Sequence, residues 1–470
     1  MLSFKRCRRS MNRSVNRSFK AFAATVGVAA LLGAPVNRAC AEDQSWIKSS
    51  VIYCVFPSIF SPSGDLAGVT HELKRLKDTG VTVVWLMPIT PVGHAVNGHP
   101  SFGSPYCVQN YEAINPEYGT AKDLHNLVDT AHRLHMKVIL DAVLNHSAWD
   151  NALITDHPDY YAHSDTNIHD PNTIRHAFSY NDVAQFDYSS PGLRDYMIGM
   201  LSRWLKTYDL DGFRFDAADN PSGPNRLIPA DFWQELGRRL HKVKPNILLL
   251  GESGVPELAD KPFDVQYGWI LYDGVKNAIQ ESNAAKVHDA WNYQVSQTPS
   301  YIAMQDNWDK LRDIHTFGGP EGALAVAVFN QTGNGVPLIY NGMEIGNAEG
   351  KVNPHGKIDW SKANPVFTAL YKQLGALRGH NAALREGRMA WVPNNMPSQV
   401  LTYTKTAKDT EFLVEINLSK DVAKGTVSIP AGAAWTDVTP RGPWPAPVRT
   451  ESGGFVLQPK GFAIYRRTRD

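Results

Sequence analysis

The chain has 470 residues, 43% of them hydrophobic, 10% aromatic and 20% charged, which is enough apolar mass for a large core and excludes disorder, collagen and coiled coil. Formal net charge is +1, but residues 1–41 hold 8 Lys or Arg and no acid, so the body carries 39 basic against 46 acidic residues, a net of −7. A mildly acidic body has no electrostatic reason to seek nucleic acid or an anionic membrane.

The N-terminus has the layout of an export signal. Lys5, Arg6, Arg8, Arg9, Arg13, Arg17 and Lys20 form a basic stretch, Ala21 to Ala34 is a short apolar run, and Ala39-Cys40-Ala41 fits a small-x-small cleavage site. The run is too short to span a membrane. Residues 1–41 are therefore expected to be a signal peptide, with Glu42 as the mature start and a secreted or periplasmic location. Cleavage removes Cys7 and Cys40 and leaves Cys54 and Cys107. An oxidising compartment permits them to pair; two buried thiols are the alternative.

The body alternates strands and helices. Val51 to Phe56 is a continuous apolar run, read as a buried strand. Leu66 to Asp78 has helical spacing through Leu66, Val69, Leu73 and Leu76. Val81 to Met87 is a second strand, stopped by Pro88. Thr120 to His135 is a helix, with Thr120 as its cap and Asp123 at the capping-box position. Val138 to Leu144 is a third strand, and Pro191 to Tyr208 a helix with Ser190 as cap. Leu210–Phe215, Ile247–Leu250, Phe263–Val265, Tyr301–Met304 and Val336–Tyr340 supply five more strands. Helical patterns near 230–243, 272–283, 320–329 and 363–379 separate or follow them. Eight strands buried on both faces, alternating with helices, predict a closed (β/α)₈ barrel over residues 42–383. The polar stretch 146–187 is expected to be a small excursion after the third strand. Past residue 384 the pattern becomes strands with turns, predicting a C-terminal antiparallel β domain over 384–470 that braces the barrel.

In such a barrel the chemistry sits at the C-terminal ends of the strands. Strand four ends Gly212-Phe-Arg-Phe-Asp216, strand five ends in Glu252, and strand seven runs into Asp306-Asn-Trp-Asp309. An arginine beside an acid favours its ionised form, so Arg214 is expected to keep Asp216 charged as a nucleophile. Glu252 follows an apolar strand, and desolvation is expected to keep it protonated as a general acid. That division of labour matches retaining glycoside hydrolysis. Metal-dependent chemistry at the same mouth, or carboxylates that cap helix N-termini, are the competing readings.

Several motifs in order resemble the α-amylase family, glycoside hydrolase family 13. They are Val51 to Pro57, Ser104 to Tyr111 with Ile114 to Thr120, Asp141-Ala-Val-Leu-Asn-His146, Gly212 to Asp216, Gly251-Glu252, Asp306 to Asp309 and Gly335 to Glu344. The resemblance implies Asp216 as nucleophile, Glu252 as acid/base and Asp309 as transition-state stabiliser. It implies Tyr106, His146 and Arg214 as sugar-site residues and Asp141 as support. By bringing Cys107 to the barrel mouth, it also suggests a Cys54–Cys107 bridge.

The chain departs from the family pattern in three places. Trp308 stands for the usual histidine and is expected to bind substrate by stacking. Asp219-Asn220 stand for Lys-His after the nucleophile. Gln185 stands for the excursion aspartate. The last two weaken the family's usual calcium site, of which Asn145 is in place, so no cofactor is implied and calcium is expected to be weak or absent. The expected protein is a monomeric glycoside hydrolase that cleaves α-glucosidic, mainly α-1,4, bonds in glucans or oligosaccharides through a covalent glycosyl-enzyme. A transglycosylase or sugar isomerase with the same covalent step is the near rival, and a non-catalytic carbohydrate-binding protein the distant one.

Overall fold

The computed structural model describes residues 45–469 apart from 97–98, 101–102, 179, 220–227, 260, 350–355, 430–433, 445–446 and 450–453. The expected signal peptide and its cleavage site lie outside the described residues, as does Asn220.

Eight parallel strands close into a barrel. They are β1 (Ile52–Val55), β2 (Val83–Leu86), β3 (Lys137–Val143), β4 (Gly212–Asp216), β5 (Leu248–Gly251), β6 (Val265–Tyr267), β7 (Tyr301–Ala303) and β8 (Val336–Tyr340). Each pairs with its sequence neighbours, and β8 returns to β1 through Leu338 opposite Ile52. The apolar runs read from the sequence are these strands, with ends shifted by one or two residues. Gly212 shows why one strand begins with glycine: its φ is +146°, and a Cβ there would stand 2.0 Å from the Leu248 carbonyl oxygen of β5.

The helices at Leu66–Asp78, Ala121–Arg133 and Pro191–Tyr208 follow the predicted spacing. The capping box of Thr120 and Asp123 is formed. Ser190 makes no cap bond; its hydroxyl donates instead to Asp159 Oδ2 at 3.2 Å. A helix at Ala285–Gln297 has no counterpart among the helical patterns of the sequence, because it buries only Val287 and Gln294 and so lacks an apolar stripe.

Past β3 the chain leaves the barrel. His146–Ala148 pairs antiparallel with Val183–Gln185 and closes the base of the excursion. The expected Cys54–Cys107 bridge is not formed. Cys54 is buried in β1, between Trp85 and Tyr340 of the neighbouring strands. Cys107 packs with Ala148, Ala177 and Val183 of the excursion, and its thiol donates to the Asp182 carbonyl at 3.1 Å.

After the barrel, Arg388–Trp391, Val400–Ala407, Thr410–Asn417 and Phe462–Thr468 pair antiparallel in that spatial order. Side chains alternate between faces. Leu401, Tyr403, Phe412, Val414 and Ile464 join the barrel's core, while Val400, Leu413, Ala463 and Tyr465 pack on a second small sheet. The sheet thus braces the barrel, and the Tyr403 hydroxyl lies 2.7 Å from that of Thr332.

Candidate active site

The period of two in β4 sets the site. Phe213 and Phe215 are buried in the apolar core, where Phe215 packs on Trp233 and Phe263. The alternate residues, Arg214 and Asp216, share the opposite side. Register then brings in the neighbours. Asp141 of β3 stands opposite Arg214, and Gly251 of β5 opposite Phe215, so Glu252 emerges beside Asp216. The Glu252 amide donates to the Phe215 carbonyl at 2.9 Å.

Arg214 is the hub. It is 2% exposed and forks to three carboxylates: Nη1 lies 2.9 Å from Asp141 Oδ1 and 3.0 Å from Asp216 Oδ1, and Nη2 lies 2.8 Å from Glu252 Oε2. Its Nε donates to the Tyr267 hydroxyl at 3.2 Å. The rings of Trp85, Tyr106 and Tyr267 surround its guanidinium at 5.1 to 5.7 Å. Asp141 is buried and accepts from the Trp85 indole and the Tyr106 hydroxyl, each at 3.2 Å, which suits the supporting role expected for it. The side chains of Asp216 and Glu252 stay 13% and 18% exposed, so a ligand at the mouth can reach them.

Burial raises both outer acids. Asp216 is pushed up to about 7 and Glu252 to about 8, first by desolvation, with Arg214 opposing and neighbouring carboxylates adding to the rise. The expectation that Arg214 alone keeps Asp216 low is thereby corrected: loss of water and the charges of Asp141 and Asp309 outweigh it. The pair titrates as a unit.

Asp309 follows β7, and its charge acts on both Asp216 and Glu252, which places the three acids within electrostatic reach of one another. Its amide donates to Asn307 Oδ1 at 3.0 Å. The loop is held behind by buried Asp306, whose Oδ2 lies 3.2 Å from Arg312 Nε. Trp308 is 7% exposed and meets Phe56 edge-on at 5.1 Å. Most of it is packed into the protein, so only a small part of the ring expected to stack on substrate reaches the surface. His146 is buried, and its imidazole is held neutral, pushed down to about 4 by desolvation. The Tyr106 backbone beside it opposes that fall.

Of the family's calcium positions, Asn145 and Gln185 lie among the described residues and Asn220 does not. Asn145 is buried with both carboxamide atoms lacking a hydrogen-bond partner. Gln185 is buried and neutral, and Asp187 Oδ1 accepts from the Ser189 amide. Among the described residues no group of three or more His, Cys, Asp or Glu gathers as a metal centre. Neutral amides offset the charge of a hard dication less well than carboxylates do.

Sequence reading misses Trp85 and Tyr267. Tyr267 ends a barrel strand, and the strand-end rule that finds the acids also reaches it. Trp85 carries no signal, since a tryptophan inside an apolar run reads as core.

The family model for the α-amylase catalytic domain matches residues 41–395. A cyclomaltodextrinase of Geobacillus thermopakistaniensis is 26% identical, with 90% of this chain and 78% of that protein covered. A maltogenic α-amylase of Bacillus acidopullulyticus is 25% identical over 83% of this chain and 73% of its own length. Among solved structures, an α-amylase from Lactobacillus plantarum superposes with a TM-score of 0.75 at 27% identity, covering 90% of this chain and all of that one. A maltogenic α-amylase from Thermotoga neapolitana gives 0.74 at 26% identity, covering 90% and 97%.

Proposed function

This chain belongs to the α-amylase family of glycoside hydrolases, and from that membership we propose that it is a retaining α-glycosidase acting on α-1,4-glucosidic bonds, with Asp216, Glu252 and Asp309 as its working acids. One observation carries the reading: a single buried guanidinium holds the carboxylates at the ends of β4 and β5 side by side. Retaining hydrolysis needs two carboxyl groups about 5 Å apart, one ionised and one protonated.

In the first step Glu252 gives its proton to the glycosidic oxygen. The C1–O bond breaks, the aglycone leaves as an alcohol, and an Asp216 oxygen bonds to C1 on the opposite face. In the second step the Glu252 carboxylate takes a proton from water. The water oxygen bonds to C1, and the Asp216 carboxylate departs with its electron pair. Asp309 stabilises the positive charge that develops on the sugar in both steps. Tyr106, held by Asp141, offers an aromatic face to the ring, and Arg214 keeps the carboxylates in place.

The names of the relatives, a cyclomaltodextrinase and maltogenic amylases, support short α-1,4 glucans as the substrate class. The test is a chromatographic product profile on starch, maltodextrin, cyclomaltodextrin, sucrose and trehalose, with Asp216→Asn as the blank. Release of sugars with α-anomeric configuration from the glucans is expected. Saccharide binding without any bond cleavage would overturn the reading in favour of a binding protein.

Two further properties are proposed on narrower grounds. Excess chelator is expected to leave activity and melting temperature unchanged, because the neutral amide of Gln185 stands where the family resemblance leads one to expect a carboxylate. A large drop in melting temperature that added calcium restores would sink this. The basic and apolar N-terminal stretches support export, with Glu42 as the first residue of the mature protein; N-terminal sequencing of protein recovered outside the cytoplasm tests it. Among the described residues no helix is long and apolar enough to cross a membrane.

A further inference from the structure

Asp219 lies three residues past Asp216 and takes no part in the chemistry above. Its Oδ2 accepts two hydrogen bonds from the segment that carries Glu252: one from Ser253 Oγ at 2.6 Å and one from the Gly254 amide at 2.8 Å. Ser253 is 1% exposed and is a junction in its own right. Its Oγ accepts from Gln266 Nε2 at 2.9 Å and from the Val255 amide at 3.1 Å. Its carbonyl accepts from the Tyr267 amide at 3.1 Å, and Tyr267 in turn accepts from Arg214. From the other side, the Ala217 amide donates to Glu252 Oε2 at 2.9 Å.

Two loops that carry different acids are therefore tied together just past the ends of β4 and β5. The tie needs an acceptor at position 219. A hydroxyl and an amide are both donors here, and a single carboxylate oxygen with two lone pairs satisfies both. A charged acceptor makes such bonds shorter and stronger than neutral ones. Lysine, the residue the family resemblance leads one to expect at this position, has no acceptor and leaves both donors unpaired.

We propose that Asp219 is a positioning residue for Glu252, clamping the acid/base loop onto the nucleophile loop through Ser253 and Gly254. The inference rests on the acid/base reading of Glu252. It goes beyond it by naming what holds that carboxyl at the glycosidic oxygen. Proton transfer demands hydrogen-bond reach, and a small displacement of the acid costs the step heavily.

The leaving group separates positioning from mere support. A departing sugar alkoxide needs a proton from Glu252, whereas a departing fluoride does not. The measurement is kcat/KM, which reports the first bond-breaking step, on maltotetraose and on α-maltosyl fluoride, together with melting temperature. Asp219→Ala is expected to lose roughly 10- to 100-fold on maltotetraose and less than about threefold on the fluoride. Ser253→Ala, which removes one of the two links, is expected to show a smaller loss with the same leaving-group bias. Asp219→Asn keeps one acceptor oxygen and is expected to fall between Asp219→Ala and the parent; it also serves if Asp219→Ala fails to fold. Equal losses on both substrates, or none, would overturn the clamp. Glu252→Gln runs beside them. If it keeps the parent's rate on maltotetraose, the acid/base reading itself fails, whatever the Asp219 variants do.

Discussion

Asp216→Asn is expected to lower turnover on the order of 10⁴-fold or more while the fold stays intact, because an amide cannot form and release the covalent glycosyl ester. Glu252→Gln is expected to lose comparably on saccharides and to keep much of its rate of first bond cleavage with a fluoride leaving group. Substrates that need protonated departure thus separate the two roles. Both side chains are partly exposed at the mouth and sit on a closed barrel, so these near-isosteric changes leave packing unaltered. The same pair sets the pH profile. Asp216 must be ionised and Glu252 protonated, and burial moves both titrations of the pair above the ordinary carboxylate range. Activity is expected to fall on the acid side as Asp216 takes up a proton and on the alkaline side as Glu252 loses its own. Near-normal turnover in either well-folded variant would remove that residue from the mechanism.

Arg214→Met is expected to have the largest effect on stability as well as abolishing activity. The side chain is 2% exposed and is the shared partner of Asp141, Asp216 and Glu252. Removing one member of a buried ion pair leaves uncompensated charge, which costs about 3–5 kcal/mol; partial exposure of two of these carboxylates argues for the lower end. Denaturant titration measures it. The deficit depends on pH in a definite direction. Without the guanidinium the folded carboxyls sit still further above their unfolded values near 4, so the folded state binds the extra protons. The deficit is full at alkaline pH, where all three are charged. It shrinks as pH falls and is gone once the parent's own folded carboxyls, raised to between about 6 and about 8, are protonated as well. Arg214→Lys retains a charge but not the planar fork, and is expected to recover part of the stability with little activity. A deficit that does not change with pH would mean that Arg214 acts by packing alone.

The barrel and the acids at its strand ends can be read from residue order along the chain. Val81 to Met87 and Val138 to Leu144 are apolar without alternation because both faces of a parallel strand are covered, and that pattern is local. A carboxylate where such a run stops is equally local, which is why Asp216, Glu252 and Asp309 are legible from the order of residues alone. The resemblance to the α-amylase family adds their division of labour. Tertiary structure decided what those residues meet. Along the chain Arg214 is a partner of Asp216 alone; barrel register gives it Asp141 and Glu252 as well. Cys54 and Cys107 are able to pair as far as composition and compartment go, but the barrel and the excursion take one each. Trp308 has the face for stacking, and the fold sets Phe56, far away in sequence, edge-on against it. Asp219 stands out in the sequence only as a departure from the family pattern, since its partners lie 34 and 35 residues further along the chain. The physical reason is common to all four. Hydrophobic period and strand ends are set by neighbours along the chain, whereas ion pairs, burial and the proton affinities that follow from it are set by which strands lie side by side when the barrel closes.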